Sequence, residues 1–224
     1  YHHHSLARAL YLSMFHSVSA FCNAGFALFS DNLVGFRDSA VVSIVIPLLI
    51  IFGGLGFSVI IDLYRYFFKR DNVRKLTLHS KIVLVTTAFL IVGGMISFFV
   101  MEYYGTMKGF GIHQRLLSSF FQSVTTRTAG FNTLDFGAMG KATLLVSMFL
   151  MFVGASPGST GGGIKTTTFS ILGLTMVSLL KGRRDISVFK RRIPSSNFRE
   201  AAGLVFLSAS LVFFIVLILL LVET

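Results

Sequence analysis

The sequence predicts an all-α membrane protein made of repeated helix–loop–helix units, and three observations support this class. Of its 224 residues, 54% are hydrophobic and 13% are charged, whereas a soluble domain carries about a quarter charged residues. Several apolar runs reach the roughly 20 residues with which a helix spans a bilayer. Two short amphipathic stretches lead into the same Ala-Gly-Phe sequence, so the order of elements repeats along the chain.

Three apolar runs are the predicted spanning helices: residues 40–63, 82–104 and 201–222. The first of them has Gly53, Gly54 and Gly56 inside it. A fourth run, residues 142–180, is interrupted at 154–166 by a segment rich in glycine, serine and threonine, which we call the glycine-rich loop. Irregular backbone at membrane depth is tolerated where it is buried in protein or lines water. The fourth run is therefore expected to be a broken helix.

The positive charge is concentrated in two short stretches. The formal net charge is +11, and 13 of the 20 Lys and Arg residues lie in residues 65–81 (six) and 181–199 (seven). Both stretches lie between hydrophobic segments, which is typical of cytoplasmic loops under the positive-inside rule. A basic surface that binds nucleic acid is the less favoured interpretation, so we expect a bilayer and no nucleic acid as the partner.

This orientation also places the two short amphipathic stretches, residues 5–21 and 112–124. With both basic loops inside, the four apolar runs alternate inward and outward without conflict, and both short stretches lie on the outer side. Each would then enter and leave the membrane by the same face. We therefore predict two re-entrant loops, and helix–pore-loop–helix as the repeating unit.

The chemistry of the two Ala-Gly-Phe segments, which we call the first pore loop (residues 22–26) and the second pore loop (residues 126–131), favours a cation. Their glycines are 105 residues apart and follow Phe-x-Ser-Val in both copies. Backbone carbonyls there can replace an ion's hydration shell, and the preceding short helix points its partially negative C-terminus at the same place. A simple helix C-cap is the alternative for one copy, but two matching copies favour an ion filter. The predicted filter positions are Asn23, Ala24, Gly25, Thr128, Ala129 and Gly130.

The glycine-rich loop admits three interpretations. A nucleotide-binding P-loop needs Gly directly before Lys and a preceding strand, whereas Ile164 separates Gly163 from Lys165 and the preceding segment is apolar and helical. A flexible break in a helix is the second interpretation. The third, which we favour, is an obstructing gate beneath the filter, because a lysine at membrane depth is costly and its charge can repel cations. The predicted gate residues are Gly158, Ser159, Thr160, Gly161, Gly162, Gly163 and Lys165.

Other residues indicate supporting roles and argue against catalysis. Arg127, inside the second pore loop, is expected to pair with a carboxylate such as Asp135, and His16 to be packed or hydrogen-bonded. The nine acidic residues are scattered, and no His–carboxylate or Cys–His cluster stands at ligand spacing, so neither an enzyme nor a resident metal or tightly bound cofactor is expected. The single cysteine, Cys22, excludes a disulfide within the chain. Residues 2–4, three histidines, are either a tag remnant or native.

Three segments, residues 19–26, 126–131 and 158–166, closely resemble the Trk/Ktr/HKT superfamily of potassium transporters, and the bacterial Ktr-type membrane subunit most of all. That resemblance implies four helix–pore-loop–helix repeats around a pseudo-fourfold pore, of which this chain is expected to be a fragment or the ordered part. It assigns 1–63 to the pore loop and second helix of repeat two, 64–81 to a cytoplasmic basic loop, 82–180 to repeat three, 181–200 to a second cytoplasmic loop, and 201–224 to the first helix of repeat four.

The resemblance also implies a function and partners. It implies potassium uptake across the plasma membrane, with K⁺ bound only at filter carbonyls as the transported ion, a homodimer of membrane subunits, and a cytoplasmic nucleotide-binding ring that regulates them. A sodium-permeable or sodium-coupled transporter of the same architecture is the alternative, since two pore loops of four leave selectivity open. A purely structural membrane scaffold would leave the repeated loops and Lys165 unexplained.

Overall fold

The structure, a computed structural model, describes residues 5–68, 75–182, 186–188 and 191–223, most of them helical. Residues 1–4, with the three histidines, and parts of both basic loops lie outside the described residues. Along the described chain the elements are α1 (Leu6–Phe21), α2 (Ala40–Leu55), α3 (Phe57–Phe68), α4 (Leu78–Met101), α5 (Ile112–Thr125), α6 (Lys141–Phe152), α7 (Thr166–Leu180), β1 (Ile186–Val188), β2 (Arg191–Ile193) and α8 (Ser195–Glu223), with 3₁₀ turns at Val34–Phe36 and Phe136–Ala138.

Two of the described helices, α4 and α8, are each long and apolar enough to cross a membrane. The pair α2 and α3 would count as a third span, but it is bent by 101° at its junction. The two halves of the predicted broken helix, α6 and α7, are shorter apolar helices on either side of the glycine-rich loop. Among the described residues, a short antiparallel pair of strands, β1 and β2, lies within the second basic loop.

The bend between α2 and α3 corrects the prediction of one continuous helix over residues 40–63. Gly56 stands at the bend with φ +88°, and a Cβ there would lie 2.5 Å from the Pro157 carbonyl oxygen. The carbonyl of Gly54, left without a helical partner at the end of α2, accepts from the Ser156 amide at 3.0 Å. The Phe57 amide, at the start of α3, donates to Gly158 at 3.0 Å. The glycine-rich loop therefore satisfies both helix ends exposed by the break, which is what terminal groups require.

The re-entrant helices α1 and α5 both pack against α2. Between the three helices lies an apolar cluster that contains Ile46 and Ile50 of α2 and Phe121 of α5. The same cluster includes Ala129 and Phe131, so the second pore loop rests directly on it. Helix α4 packs along α5 and also contacts α6 and α7. The two re-entrant helices, α1 and α5, therefore pack against the same helix, α2, through this apolar cluster.

A buried carboxylate joins the C-terminal end of α4 to the N-terminal end of α6. Glu102, 1% exposed, directly follows α4. One carboxylate oxygen accepts from the Gly140 amide at 3.0 Å and from the Thr143 hydroxyl, and the other accepts from the amide and hydroxyl of Thr106. Burial raises the pKa of the Glu102 carboxyl, but these hydrogen bonds outweigh burial and leave its pKa below the ordinary value of 4.5. The ionised group therefore fixes the start of α6, the helix that leads into the glycine-rich loop.

Replacing Glu102 by glutamine should lower the free energy of unfolding by about 2 kcal/mol at neutral pH, because an NH₂ would then face donors that need an acceptor. A carboxyl whose pKa is lowered in the folded state contributes stability above its unfolded pKa, and this contribution is lost as the pH falls through its folded pKa. The difference in the free energy of unfolding between wild type and Glu102→Gln should therefore become smaller as the pH falls. Thermal unfolding in detergent over a pH series checks this, with Glu200→Gln at an exposed position as the control. A difference in the free energy of unfolding that stays constant at acidic pH would contradict an ionised Glu102 carboxylate that fixes the start of α6.

Candidate functional site

The first pore loop forms a tight turn at the end of α1. Asn23 and Gly25 both have positive φ, +51° and +71°. The amide of Asn23 donates to Ala20 at 3.1 Å and that of Ala24 to Ser19 at 2.9 Å, so these amides point back toward the helix. Within the described residues, no hydrogen bond occupies the carbonyl oxygens of residues 23–25. Those oxygens are therefore available to a ligand.

The second pore loop repeats this geometry at the end of α5. Thr128 and Gly130 have φ of +68° and +87°. The amides of Ala129 and Gly130 both donate to the Thr125 carbonyl, at 3.0 and 3.3 Å. In the described part of the chain, the carbonyl oxygens of residues 128–130 accept no hydrogen bond either. All six predicted filter positions thus lie in matching turns.

The fold brings the two pore loops into contact at their glycines. A Cβ at Gly130 would lie 3.4 Å from the Gly25 Cα, and one at Gly25 would lie 2.8 Å from the Gly130 Cα. Just beyond, the Leu33 amide donates to the Asn132 carbonyl at 3.0 Å, and the Asn32 side chain accepts from the Asn132 amide at 3.0 Å. Both loops border a common cavity of about 320 Å³. All the predicted filter positions except Gly25 line this one cavity.

Hydroxyl groups at matching positions hold the two pore loops. Ser19, in the last turn of α1, donates to the Phe26 carbonyl at 2.9 Å. Thr125, in the last turn of α5, donates to the Phe131 carbonyl at 2.7 Å. Neither of these two hydroxyl groups was predicted from the sequence, although each residue directly follows Phe-x-Ser-Val. That repeated position was the available signal.

The second residue of each Phe-x-Ser-Val supports the chain that leaves the loop. His16 donates from Nδ1 to the Leu12 carbonyl at 2.7 Å and accepts at Nε2 from the Leu28 amide at 3.3 Å. Gln122, with its amide oriented to satisfy its neighbours, accepts from the amides of Thr133 and Leu134 at 3.3 and 3.0 Å. His16 is hydrogen-bonded, as the sequence predicted. Its counterpart in the second unit was not recognised from sequence.

The glycine-rich loop has a narrow neck. Gly154 donates to Ile164 at 3.0 Å, and Ala155 donates to Gly162 at 3.1 Å, so the two ends of the loop run side by side. A Cβ at Gly163 would lie 2.8 Å from the Gly154 Cα. The neck can therefore close only because glycines meet there. Thr166, included in the predicted break, is the first residue of α7.

The tip of this loop lies against both pore loops. A Cβ at Gly161 would lie 2.9 Å from the side chains of Asn23 and Thr128. The Thr160 hydroxyl donates to the Phe21 carbonyl at 3.0 Å, at the end of α1. The ammonium of Lys165 donates to the Gly161 carbonyl at 2.8 Å and so fixes the tip from within the loop. The predicted gate residues and predicted filter residues are therefore direct neighbours.

The expected ion pair between Arg127 and Asp135 is absent among the described residues, and that prediction is wrong. Asp135 accepts from the Gly137 amide at 2.9 Å in its own turn. The Arg127 guanidinium donates from Nη2 to the Gly154 carbonyl at 3.1 Å. It therefore contacts the neck of the glycine-rich loop. Over the described ranges, no three His, Cys, Asp or Glu side chains are grouped to hold a metal ion.

Comparison with known proteins places this geometry among transporters. The family described as TrkH, cation transport protein, matches residues 3–224. The potassium/sodium uptake protein NtpJ of Enterococcus hirae is 41% identical over 219 residues, 97% of this chain and 48% of that protein. The Ktr system potassium uptake protein B of Bacillus subtilis is 41% identical over 186 residues, 82% of this chain and 41% of that protein. The chain spans about half the length of the curated relatives it matches.

A solved structure has the same fold. The potassium transporter TrkH from Vibrio parahaemolyticus superimposes with a TM-score of 0.73 at 22% identity, covering 92% of this chain and 44% of that one. The predicted all-α membrane class with pore loops is confirmed by this likeness. The assignment of segments to particular repeats stays a prediction.

Proposed function

The chain belongs to the TrkH family of cation transport proteins, and we propose that within the complete protein it takes up potassium through a filter of backbone carbonyls. The family is one of cation transporters, and its match over nearly the whole chain confirms the resemblance of the three motifs. The observation that carries the proposal is the pair of matching turns at Gly25 and Gly130, which contact each other and whose carbonyl oxygens accept no hydrogen bond from the described residues. Carbonyl oxygens of this kind replace the hydration shell of a cation.

We propose that the glycine-rich loop gates this path. Its tip, at Thr160 and Gly161, occupies the space beside Asn23 and Thr128. A cation leaving the filter on that side would meet the tip and the ammonium of Lys165. Displacement of the tip would clear the path.

Rescue of a bacterium deficient in potassium uptake by the full-length protein tests the function. Growth at limiting potassium is the expected result, and loss of rescue in a variant that reaches the membrane identifies the residues responsible. No growth from correctly inserted protein would overturn the proposal. Uptake of labelled potassium with and without added sodium separates the alternative, a sodium-permeable or sodium-coupled transporter, which is favoured by the name of the Enterococcus hirae relative.

We also propose a homodimer of the complete membrane subunit and a regulatory partner, a cytoplasmic ring that binds nucleotides. Two relatives are named as components of a Ktr system, which supports a transporter of more than one subunit. The apolar segment of helix α8 is not buried against the rest of the described chain. Lipid or a second subunit would cover it.

For localisation we propose the plasma membrane, with both basic loops in the cytoplasm. In a Cys22→Ser background, cysteines at Lys75 and Lys181 should be protected from an impermeant thiol reagent in intact cells, because the positive-inside rule holds basic loops inside. Cysteines at Asn32 and Lys108 should be labelled. Permeabilised cells serve as the control, in which all four sites react. Labelling of the basic loops in intact cells would contradict the orientation.

A further inference from the structure

Arg127 is a buried cation whose role is not explained by the filter or the gate. Its side chain is 7% exposed, and in the described part of the chain no carboxylate pairs with it. Burying an unpaired charge is costly, so the position needs a compensating interaction. The hydrogen bond to the Gly154 carbonyl, at 3.1 Å, compensates for only part of this cost.

The position of this bond connects two parts of the ion path. Arg127 belongs to the second pore loop, next to the filter position Thr128. Gly154 belongs to the neck of the glycine-rich loop, where Ile164 and Gly162 hold the two ends together. The guanidinium therefore joins the loop that carries the filter to the base of the loop that faces it.

A second unpartnered group lies beside Arg127. A small cavity of about 10 Å³ is lined by Arg127, by Thr87 of α4 and by Asn23 of the first pore loop. Two buried atoms on these residues, Arg127 Nε and Thr87 Oγ1, have no hydrogen-bond partner among the described residues. A site of this size, with polar groups on its wall, is just large enough for one water molecule. Such a water would accept from Arg127 Nε–H and bond to the Thr87 hydroxyl.

We propose that Arg127 is a positioning residue that couples the second pore loop to the glycine-rich loop, and that one buried water extends this link to Thr87. The inference rests on the proposed function, since it assigns a connection between its filter and its gate. Loss of the link would free the neck and remove one support of the second pore loop, which carries the filter carbonyls. The gate would then obstruct less, and the filter would discriminate less sharply.

The first test replaces Arg127 by lysine, which keeps the charge but removes the planar fork of donors. In vesicles that contain the complete protein and no cytoplasmic subunit, potassium flux should rise about tenfold, as expected for loss of a charged hydrogen bond that holds the obstructing arrangement. Selectivity for potassium over sodium should fall in the same preparation. Arg115→Lys lies on α5, the helix that precedes this pore loop, and its guanidinium is stacked over Tyr103 at 3.9 Å; it should change neither flux nor selectivity.

The second test removes the water's other partner. Thr87→Val keeps the shape and deletes the hydroxyl, and flux without the cytoplasmic subunit should rise about threefold, as for one neutral hydrogen bond. Its effect should vanish when Arg127 is already lysine, because both act through one water. The control is Ser97→Ala on the same helix, whose hydroxyl bonds only within α4. Thr87→Val also decides the matter if Arg127→Lys fails to assemble.

A variant with a shortened glycine-rich loop separates the two levels of inference. If shortening raises flux while Arg127→Lys and Thr87→Val match wild type in flux and selectivity, the link is refuted and the gate stands. If shortening itself has no effect, the gate is refuted first. Reduced protein yield with unchanged flux and selectivity per assembled molecule would show that Arg127 is purely structural and would overturn the proposal.

Discussion

Alanine at Gly25 should nearly abolish potassium uptake by the complete transporter, and should do so more completely than alanine at Gly130. Gly25 has φ +71°, and a Cβ there would overlap the Ala129 carbonyl and lie 2.8 Å from the Gly130 Cα. Both contacts are backbone of the facing pore loop, so no side chain can rotate away. Left-handed strain and overpacking together should reduce uptake more than about 30-fold.

The Gly130 variants should be milder in assembly but altered in selectivity. A Cβ at Gly130 meets only the Gly25 Cα, at 3.4 Å, so the main cost of Gly130→Ala is the left-handed φ of +87°. The larger Gly130→Ser should lower uptake or weaken discrimination against sodium, because its side chain crowds the carbonyls. Gly93→Ala, within α4, is the matched control, because the Cβ that alanine adds there would have open space around it.

Rubidium uptake at varied sodium, normalised to protein in the membrane, measures both effects. Wild-type affinity and selectivity in Gly25→Ala and Gly130→Ser would leave these turns as simple helix caps. Loss of membrane insertion in Gly25→Ala would move the comparison to Gly130→Ala, where the contacts allow assembly.

Shortening the tip of the glycine-rich loop should raise ion flux and reduce its dependence on the cytoplasmic subunit. Removal of residues 159–161 takes away Gly161, which lies against Asn23 and Thr128, and Thr160, which bonds to the end of α1. It leaves the hydrogen bonds of the neck, from Gly154 and Ala155, in place. The closed arrangement would lose its contact with Phe21 and with the filter side chains. The expected result is a constitutive flux into vesicles.

Lys165→Ala should act in the same direction for two reasons. The change removes a positive charge beside the path and releases the Gly161 carbonyl that the ammonium now holds at 2.8 Å. Loss of one charged hydrogen bond predicts about a tenfold increase in flux without the cytoplasmic subunit. Lys181→Ala, at the exposed far end of α7, is the control. Unchanged flux in both the shortened and the Lys165→Ala proteins would leave only a break in a helix.

The sequence by itself determined the features that depend on local chemistry. Apolar runs of membrane length indicated the helices, and the repeated Ala-Gly-Phe identified two turns that the structure places at Gly25 and Gly130. The glycine-rich loop was also readable, because glycines and a lysine interrupt an apolar run between α6 and α7. Each helix, turn or loop is encoded in its own stretch of the sequence.

Tertiary structure alone decided the contacts between distant segments. Gly53, Gly54 and Gly56 allow a bend within the apolar run over residues 40–63, but the groups that stabilise the break lie about 100 positions later, so the run itself does not show that its helix ends there. Arg127 was expected to find a carboxylate, yet the fold brings it to the Gly154 carbonyl. Charge type predicts what a guanidinium can bind, but which acceptor it meets depends on the packing of α5 against α2 and α4, and a backbone carbonyl leaves no mark in the sequence.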